Sequence, residues 1–159
     1  SIIERCHGFK AGLNGEVKYY HLKLYIDKSH PIASKSEIKK TIANFLKQHT
    51  DVESILTVDL DAFALAYDLF HPLHNKQIKN FITFDLNEHI VSGIIEGKIL
   101  FAISQQPYLQ GFLPVIFLAN LYRYGLSPIG FIATGPRIID KKNIDKIMGS
   151  IEIRKRKST

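Results

Sequence analysis

The feature that most constrains this 159-residue chain is a regular alternation of two apolar patterns. Short runs rich in β-branched and aromatic residues, which are typical of strands, are separated by longer segments whose apolar residues recur at helical spacing. Two consecutive strands lie parallel only if a long crossover, usually a helix, connects them. The alternation therefore predicts an α/β fold with a parallel sheet flanked by helices and joined by right-handed crossovers.

The expected elements follow from these patterns and from the capping residues beside them. Strands are predicted at residues 20–26, 54–58, 81–84, 99–103 and 129–133. Helices are predicted at residues 2–14, 34–48, 63–70, 87–96 and 107–124. Ser34 and Glu37 have the spacing of a capping box at the start of the second helix, and Asn87 is the expected N-cap of the fourth.

Polar side chains stand where the predicted strands end. They are Asp27, Asp59 or Asp61, Asp85, and Gln105. Ligands of open parallel sheets bind beyond the carboxyl ends of the strands, so these residues are candidates for one site. Carboxylates accept hydrogen bonds and an amide both donates and accepts, which suits a ligand covered in hydroxyl groups, such as a sugar or another polyol. For Asp59 and Asp61 the alternative stays open that they only cap the following helix.

Sequence motifs of the common enzyme classes are absent. The chain has no nucleophile-elbow serine motif, no P-loop, no glycine-rich dinucleotide fingerprint and no zinc-protease helix. Cys6 is the single cysteine, so it cannot form a disulfide within the chain, and its position predicts a core residue of the first helix. His71 and His74 are separated by Pro72, which breaks the helix that would align them. We therefore expect no enzymatic activity, no cofactor and no metal site.

The net charge of +6 raises the question of nucleic-acid binding. Most basic residues are scattered along the chain, and four of them lie together at residues 154–157. Scattered lysines are typical of a solvated surface, and a short basic run is typical of a polar tail. We therefore expect residues 151–159 to form a basic tail, and we expect no direct contact with nucleic acid.

Several short segments carry a recognisable pattern in a consistent order along the chain. They are residues 4–9 (ERCHGF), 84–85 (FD), 103–112 (ISQQPYLQGF), 134–136 (TGP) and 140–143 (DKKN). They resemble the E-R-x-x-G-F helix, the F-D strand end, the I-D-Q-Q-P-Y-x-Q-G-Y stretch and the closing T-G-P…N segment of type I periplasmic sugar-binding proteins, the ribose-binding and LacI-like superfamily. Ser104 departs from this pattern, because an aspartate is usual there.

The resemblance implies the C-terminal lobe of a two-lobed clamshell that binds a sugar between its lobes. It implies Arg5, Asp85 and Gln105 as hydrogen-bonding ligands, with Asp59 or Asp61 near a further strand-end position. The implied function is that of a solute-binding protein, or a fragment of one, that recognises a sugar or sugar-like polyol for an ABC transporter. Its implied location is periplasmic or extracellular.

Two alternatives share the same fold. The first is the effector-binding domain of a LacI-type transcriptional regulator, which would be cytoplasmic, and the second is the sensor domain of a membrane receptor. The sequence contains no helix-turn-helix, and its Q-Q-P-Y and T-G-P segments are more typical of transport proteins.

The resemblance also predicts how the chain is organised. Residues 1–150 are expected to form a single lobe, and residues 104–136 are expected to cross toward a first lobe that this chain lacks. The permease of an ABC transporter is a further expected partner of the full-length protein. The segment at residues 107–124 is strongly apolar, and burial of each such side chain contributes about 1.5–3 kcal/mol. Without the first lobe, we expect this helix to fold back on the sheet, to cover its other face or to be swapped into a homodimer.

Overall fold

A computed structural model describes residues 2–13, 15, 17–27, 29–70 and 77–147. The elements, in chain order, are α1 (Ile2–Gly12), α2 (Pro31–Gln48), β1 (Ser54–Thr57), α3 (Leu60–Phe70), β2 (Asn80–Phe84), α4 (Glu88–Ile95), β3 (Phe101–Ser104), α5 (Pro107–Tyr124) and β4 (Arg137–Asp140). The predicted basic tail, residues 151–159, lies outside the described residues, as do His71 and His74.

The four strands form one sheet in the order β1-β2-β3-β4. The strands β1, β2 and β3 are parallel, with Ile55 opposite Phe81 and Ile82 opposite Phe101. The α/β fold class is thus confirmed, whereas the prediction of a fully parallel sheet is wrong at β4, which pairs antiparallel with β3. The reason is the path of the chain: after α5 it returns to the carboxyl end of β3, where Gln106 contacts Thr134, and therefore enters β4 from that end.

Two predicted strands do not form. Residues 20–26 are extended but pair with no strand of the described residues, so β1 is an edge of the sheet. Leu22, Leu24 and Ile26 are nevertheless partly buried against the core, while His21 and Lys23 are exposed. The alternation in the sequence therefore reflects one-sided burial, which a strand pattern shares with any extended segment lying on a core.

The predicted strand at residues 129–133 is also wrong, since these residues belong to no strand of the sheet. Ile129 and Phe131 are almost fully exposed to solvent. The strand that does form is β4, a few residues later, whose Ile139 is buried in the core. An apolar run therefore marked the wrong segment, because hydrophobic composition by itself does not specify which segment finds a partner strand.

The ends of the helices are partly as predicted. Asn87 caps α4, since its side-chain oxygen accepts a hydrogen bond from the Ile90 amide at 2.8 Å, and α5 spans the predicted residues. The capping box at Ser34 is wrong, because α2 begins at Pro31. Ser34 is buried inside the helix, where its hydroxyl accepts from the Asp27 amide at 3.0 Å.

The core lies between the sheet and the helices α2, α3 and α4. Its most buried apolar side chains are Ile90, Ile94, Ile99, Ala102, Ile139 and Ile144. By contrast, α1 and α5 contain no fully buried residue, so Cys6 on α1 is only half-buried rather than a core residue. The core thus supports β1–β3 from one side and leaves their carboxyl ends at an accessible rim.

Candidate functional site

The candidate site is the rim formed by the carboxyl ends of β1, β2 and β3. Asp85 follows β2 directly, and Gln105 follows β3 directly. The pairing of Phe84 with Ile103 brings these two strand ends level, and the Asp85 amide donates to the Ile103 carbonyl at 2.9 Å. The parallel register therefore places both polar side chains at the same edge of the sheet.

A chain of side-chain contacts connects the three strand ends. The Gln105 Nε2 atom donates a hydrogen bond to Asp85 Oδ1 at 2.8 Å. On the other side of the carboxylate, Arg5 Nη1 lies 3.4 Å from Asp85 Oδ2. The same guanidinium nitrogen donates to the carbonyl of Val58, the residue after β1. We name this arrangement the rim network: Val58 carbonyl, Arg5, Asp85 and Gln105.

The Arg5 side chain reaches the rim from α1 and rests on an aromatic ring. Its guanidinium carbon lies 4.6 Å from the centroid of the Phe84 ring, within the range of a cation–π contact. The Arg5 side chain is 18% exposed and the Asp85 side chain 27% exposed. Because both are largely withdrawn from water, their attraction is screened less than that of a surface ion pair.

Asp85 and Gln106, the residue after Gln105, both have a backbone in the left-handed region. Asp85 has a φ of 67° and Gln106 a φ of 55°. For a residue with a side chain this conformation costs about 1–2 kcal/mol, so surrounding contacts must hold it. One such contact is the hydroxyl of Ser104, which accepts from the Gln106 amide at 3.1 Å. Ser104, where the family has an aspartate, thus supports the turn into α5.

Asp59 is the N-cap of α3. Its Oδ1 atom accepts a hydrogen bond from the Ala62 amide at 2.7 Å, and its carbonyl accepts from the Phe63 amide at 3.0 Å. Asp61 is exposed in the first turn of the same helix, where its charge is favourable near the helix N-terminus. The structure brings Arg5, Asp85 and Gln105 together, but neither Asp59 nor Asp61 joins them through a contact among the described residues.

Asp27, the remaining strand-end carboxylate, is engaged in its own loop. Its Oδ1 atom accepts from the Ser29 amide at 2.8 Å, and its Oδ2 atom lies 3.2 Å from His30 Nδ1. These contacts, the Ser29 amide first, lower the pKa of Asp27. Asp27 therefore acts as a loop-stabilising carboxylate. The pKa of Asp51 is also lowered, mainly by a hydrogen bond from Lys18.

A second segment, residues 133–136, packs beside Gln105. Residues 133–136 run beside the β3–α5 turn, where Gln106 Nε2 donates to the Thr134 carbonyl. The Gln110 side chain reaches back from α5 to donate to the Gln105 carbonyl at 2.9 Å. These contacts, the Val58 carbonyl and the Phe84 ring were not assigned to the site from the sequence. Phe84 lies in the F-D pair, and Gln106, Gln110 and Thr134 lie in the Q-Q-P-Y-x-Q and T-G-P segments, whereas the Val58 carbonyl had no sequence signal.

Within the part of the chain that the structure describes, no three His, Cys, Asp or Glu side chains are grouped closely enough to hold a metal ion. Among the helices that the structure describes, none is both long and apolar enough to cross a membrane.

Comparisons with known proteins bear on the fold of the chain, although no protein-family model matches the sequence. The xylose/arabinose-binding protein XylF of Sulfolobus acidocaldarius is 30% identical over 119 residues, which are 69% of this chain and 29% of that protein. A carbohydrate transporter from Acidothermus cellulolyticus, solved with myo-inositol, is 28% identical with a TM-score of 0.68, covering 91% of this chain and 48% of that one. The chain has the fold of one lobe of a type I periplasmic sugar-binding protein.

Other solved structures share this fold at lower identity. A periplasmic sugar-binding protein of an ABC sugar transporter from Legionella pneumophila has a TM-score of 0.69 at 23% identity and covers 84% of this chain and 48% of that one. A LacI transcriptional regulator from Bacteroides fragilis has a TM-score of 0.58 at 24% identity and covers 68% of this chain. The chain thus spans less than half the length of the proteins it matches, and the resemblance seen in its sequence motifs is confirmed.

Proposed function

We propose that this lobe belongs to a solute-binding protein that recognises a sugar or sugar-like polyol for an ABC transporter. The observation that carries the proposal is the rim network, which aligns a guanidinium, a carboxylate and an amide across three adjacent strand ends. Relatives in sequence and fold that bind xylose or arabinose, or that were solved with myo-inositol, support a polyhydroxylated ligand.

The rim network suits binding without chemistry. Arginine has five N–H donors and each carboxylate oxygen has two lone pairs, so Arg5 and Asp85 keep hydrogen-bonding capacity beyond their mutual contact. Each hydrogen bond to a charged group contributes about 1.5–3 kcal/mol net. We assign Arg5, Asp85 and Gln105 as the principal sugar contacts, and Asp59 and Asp61 as candidates for further contacts from the neighbouring strand end. In this role the protein is not an enzyme.

The experiment is isothermal titration calorimetry of the protein with D-xylose, L-arabinose and myo-inositol. We expect one of these to bind, and we expect Asp85→Asn to weaken that binding at least about tenfold, or 1.4 kcal/mol. Asparagine tolerates the left-handed backbone of Asp85, so this change removes the charge without forcing the turn to rearrange.

A matched control is Asp68→Asn. Asp68 is an exposed carboxylate on α3 that pairs with Lys39 at 2.8 Å, away from the rim. It should leave sugar affinity unchanged. If Asp85→Asn and Asp68→Asn bind the sugar equally well, the assignment of Asp85 as a sugar contact is wrong.

The proposed partner of α5 is the other lobe of the clamshell. The side chains of Tyr108, Phe112, Val115, Ile116, Leu118, Leu121, Tyr122 and Tyr124 are all exposed on this helix, and Leu126, Ile129, Phe131 and Ile132 continue the surface beyond it. We name this surface the crossing face. An exposed apolar area of this extent is typical of an interaction site, and matched structures contain a chain about twice as long.

The alternative occupant of the crossing face is a second copy of the chain, in a homodimer formed through residues 107–124. Analytical ultracentrifugation of the isolated chain separates these proposals. A dimer that Leu118→Asp converts to monomer supports the homodimer, whereas a monomer that binds a separately expressed first lobe supports the clamshell. A monomer that binds no such lobe contradicts both.

The proposed location is periplasmic or extracellular, next to the permease of an ABC transporter. The regulator alternative shares this fold, since the LacI regulator structure covers 68% of this chain, against 91% for the carbohydrate transporter solved with myo-inositol. It predicts that the full-length protein binds DNA in a sugar-dependent manner. Sugar uptake lost on deletion of the gene, without such DNA binding, supports transport.

A further inference from the structure

We infer that Gln106, beside the proposed sugar contact Gln105, is a positioning residue that ties the backbone carrying the Gln105 side chain to the second crossing segment, residues 133–136. The inference rests on the proposed function, because it concerns the orientation of a sugar-binding side chain. It goes beyond that function in assigning to the crossing face a control over the rim network.

The first observation concerns the hydrogen bonds that Gln106 makes. It is the residue before α5 and has a φ of 55°, yet its side chain makes no capping hydrogen bond to that helix. Its Nε2 atom donates instead to the Thr134 carbonyl. Its backbone amide donates to Ser104 Oγ at 3.1 Å, and its carbonyl accepts from the Leu109 amide at 2.9 Å. The residue is thus bonded to β3, to α5 and to the second crossing segment at once.

The second observation is the lack of space around the Gln105 backbone. A Cβ atom on Gly135 would lie 3.2 Å from both the Gln105 and the Ser104 carbonyl oxygens, which is closer than an ordinary van der Waals contact. The Gln105 carbonyl is also held by Gln110 at 2.9 Å. The peptide on each side of Gln105 is therefore restrained by neighbours that belong to α5 and to residues 133–136.

These restraints decide where the Gln105 amide points. With its backbone held, its Nε2 atom is directed at Asp85 Oδ1, 2.8 Å away. The restraining segment continues directly from the exposed crossing face at residues 126–132. A displacement of that face is therefore transmitted through Thr134 and Gln106 to the donor that the sugar site offers. Docking of the other lobe of the proposed clamshell on the crossing face would in this way set the affinity of the rim for sugar.

A purely structural tie would affect folding but not the Gln105 amide. The test variant is Gln106→Met, which keeps the length of the side chain and removes its N–H donor. Two readouts are compared with the unmodified protein: hydrogen exchange of the Gln105 side-chain amide by NMR without sugar, and the Kd for the sugar identified by calorimetry. We expect exchange to become at least about tenfold faster and the Kd to rise about tenfold.

The matched control is Gln77→Met. Gln77 also donates a side-chain hydrogen bond to a backbone carbonyl, that of His49, at 2.7 Å, but on the far side of the domain from the rim. It should lower thermal stability about as much as Gln106→Met while leaving the Gln105 amide and the Kd unchanged. If the two variants affect that amide and the Kd equally, Gln106 is a structural tie and the inference is overturned.

A second variant covers the case in which Gln106→Met does not fold. Gly135→Ala leaves Gln106 intact and places a methyl group against the carbonyls of Ser104, the last residue of β3, and of Gln105. It should accelerate exchange of the same amide, and an unchanged amide overturns the inference. If the unmodified protein binds none of the sugars, the proposed function fails, while the amide measurement still decides whether Gln106 positions Gln105.

Discussion

The rim network includes Gln105, three residues before the crossing face begins at Tyr108, yet the two regions are opposite in character. At the rim, the polar groups of Arg5, Asp85 and Gln105 are paired with one another and largely withdrawn from water. On the crossing face, large apolar side chains such as Leu118 and Phe131 are exposed. Polar groups that are paired before a ligand arrives are typical of a preorganised site, whereas exposed apolar groups are typical of an interface that needs a partner.

The two regions differ in what supports them. The rim is positioned by the sheet, whose strands are buried in the core of this lobe. The crossing face contributes nothing to that core. Substitutions in the core that supports the rim should therefore change the free energy of unfolding far more than substitutions on the crossing face.

The largest effect is expected beneath the rim. Ile94 on α4 is 1% exposed, and Ile94→Ala should lower the free energy of unfolding by about 2–5 kcal/mol, because it leaves a cavity in the core. Leu118 on α5 is 65% exposed, and Leu118→Ala should change the free energy of unfolding by less than about 0.5 kcal/mol. Urea unfolding followed by circular dichroism measures both. Equal losses would show that α5 is buried in solution and would remove the contrast.

A smaller effect is expected for the charge pair of the rim. Arg5→Met keeps the apolar stem but leaves the Asp85 carboxylate without its cation, so unfolding should become easier by about 1–3 kcal/mol. Arg123→Met, on the exposed last turn of α5, is the matched change and should stay within about 0.5 kcal/mol. If Arg5→Met lowers the free energy of unfolding no more than Arg123→Met does, the Arg5–Asp85 pair is as weak as a surface ion pair and the site is not preorganised.

The role of Asp59 separates a helix cap from a sugar contact. Asp59→Ala removes the acceptor for the Ala62 amide and should lower stability by about 1 kcal/mol, while Asp59→Asn keeps a capping oxygen and should lower it much less. Calorimetry of Asp59→Asn with the sugar then decides whether Asp59 also contacts the ligand. Unchanged affinity in Asp59→Asn assigns Asp59 to the fold, and weakened affinity adds it to the site.

The smallest effect is expected from an ion pair outside both regions. Lys18 lies 2.8 Å from Asp51, and this hydrogen bond lowers the pKa of Asp51 and raises that of Lys18. A carboxyl whose pKa is lower in the folded state stabilises the fold above its ordinary pKa and loses that contribution as pH falls through the folded value. Melting temperatures of Asp51→Asn and the unmodified protein should differ slightly at pH 6 and converge in acid. If the difference in melting temperature between the two proteins does not decrease as the pH falls, this account is wrong.

Some features were determined by the sequence because their causes are local. The cap by Asn87 and the bounds of α5 depend on residues within one helical turn of each helix end, and all of them are visible in the sequence. The grouping of Asp85 with Gln105 also followed from the sequence, since parallel strands bring their carboxyl ends to one edge. The family resemblance added Arg5, whose place on α1 has no local signal for contact with the rim.

Other features were decided only by the tertiary structure. Residues 20–26 have a strand pattern without a partner strand, while Arg137–Asp140 became a strand because the chain returned beside β3. The Val58 carbonyl and the Gln106 amide joined the site through contacts between segments distant in sequence. Local preference limits each segment to a few conformations, but pairing and burial depend on which neighbours the folded chain brings to it, and those neighbours are set by the whole path of the chain.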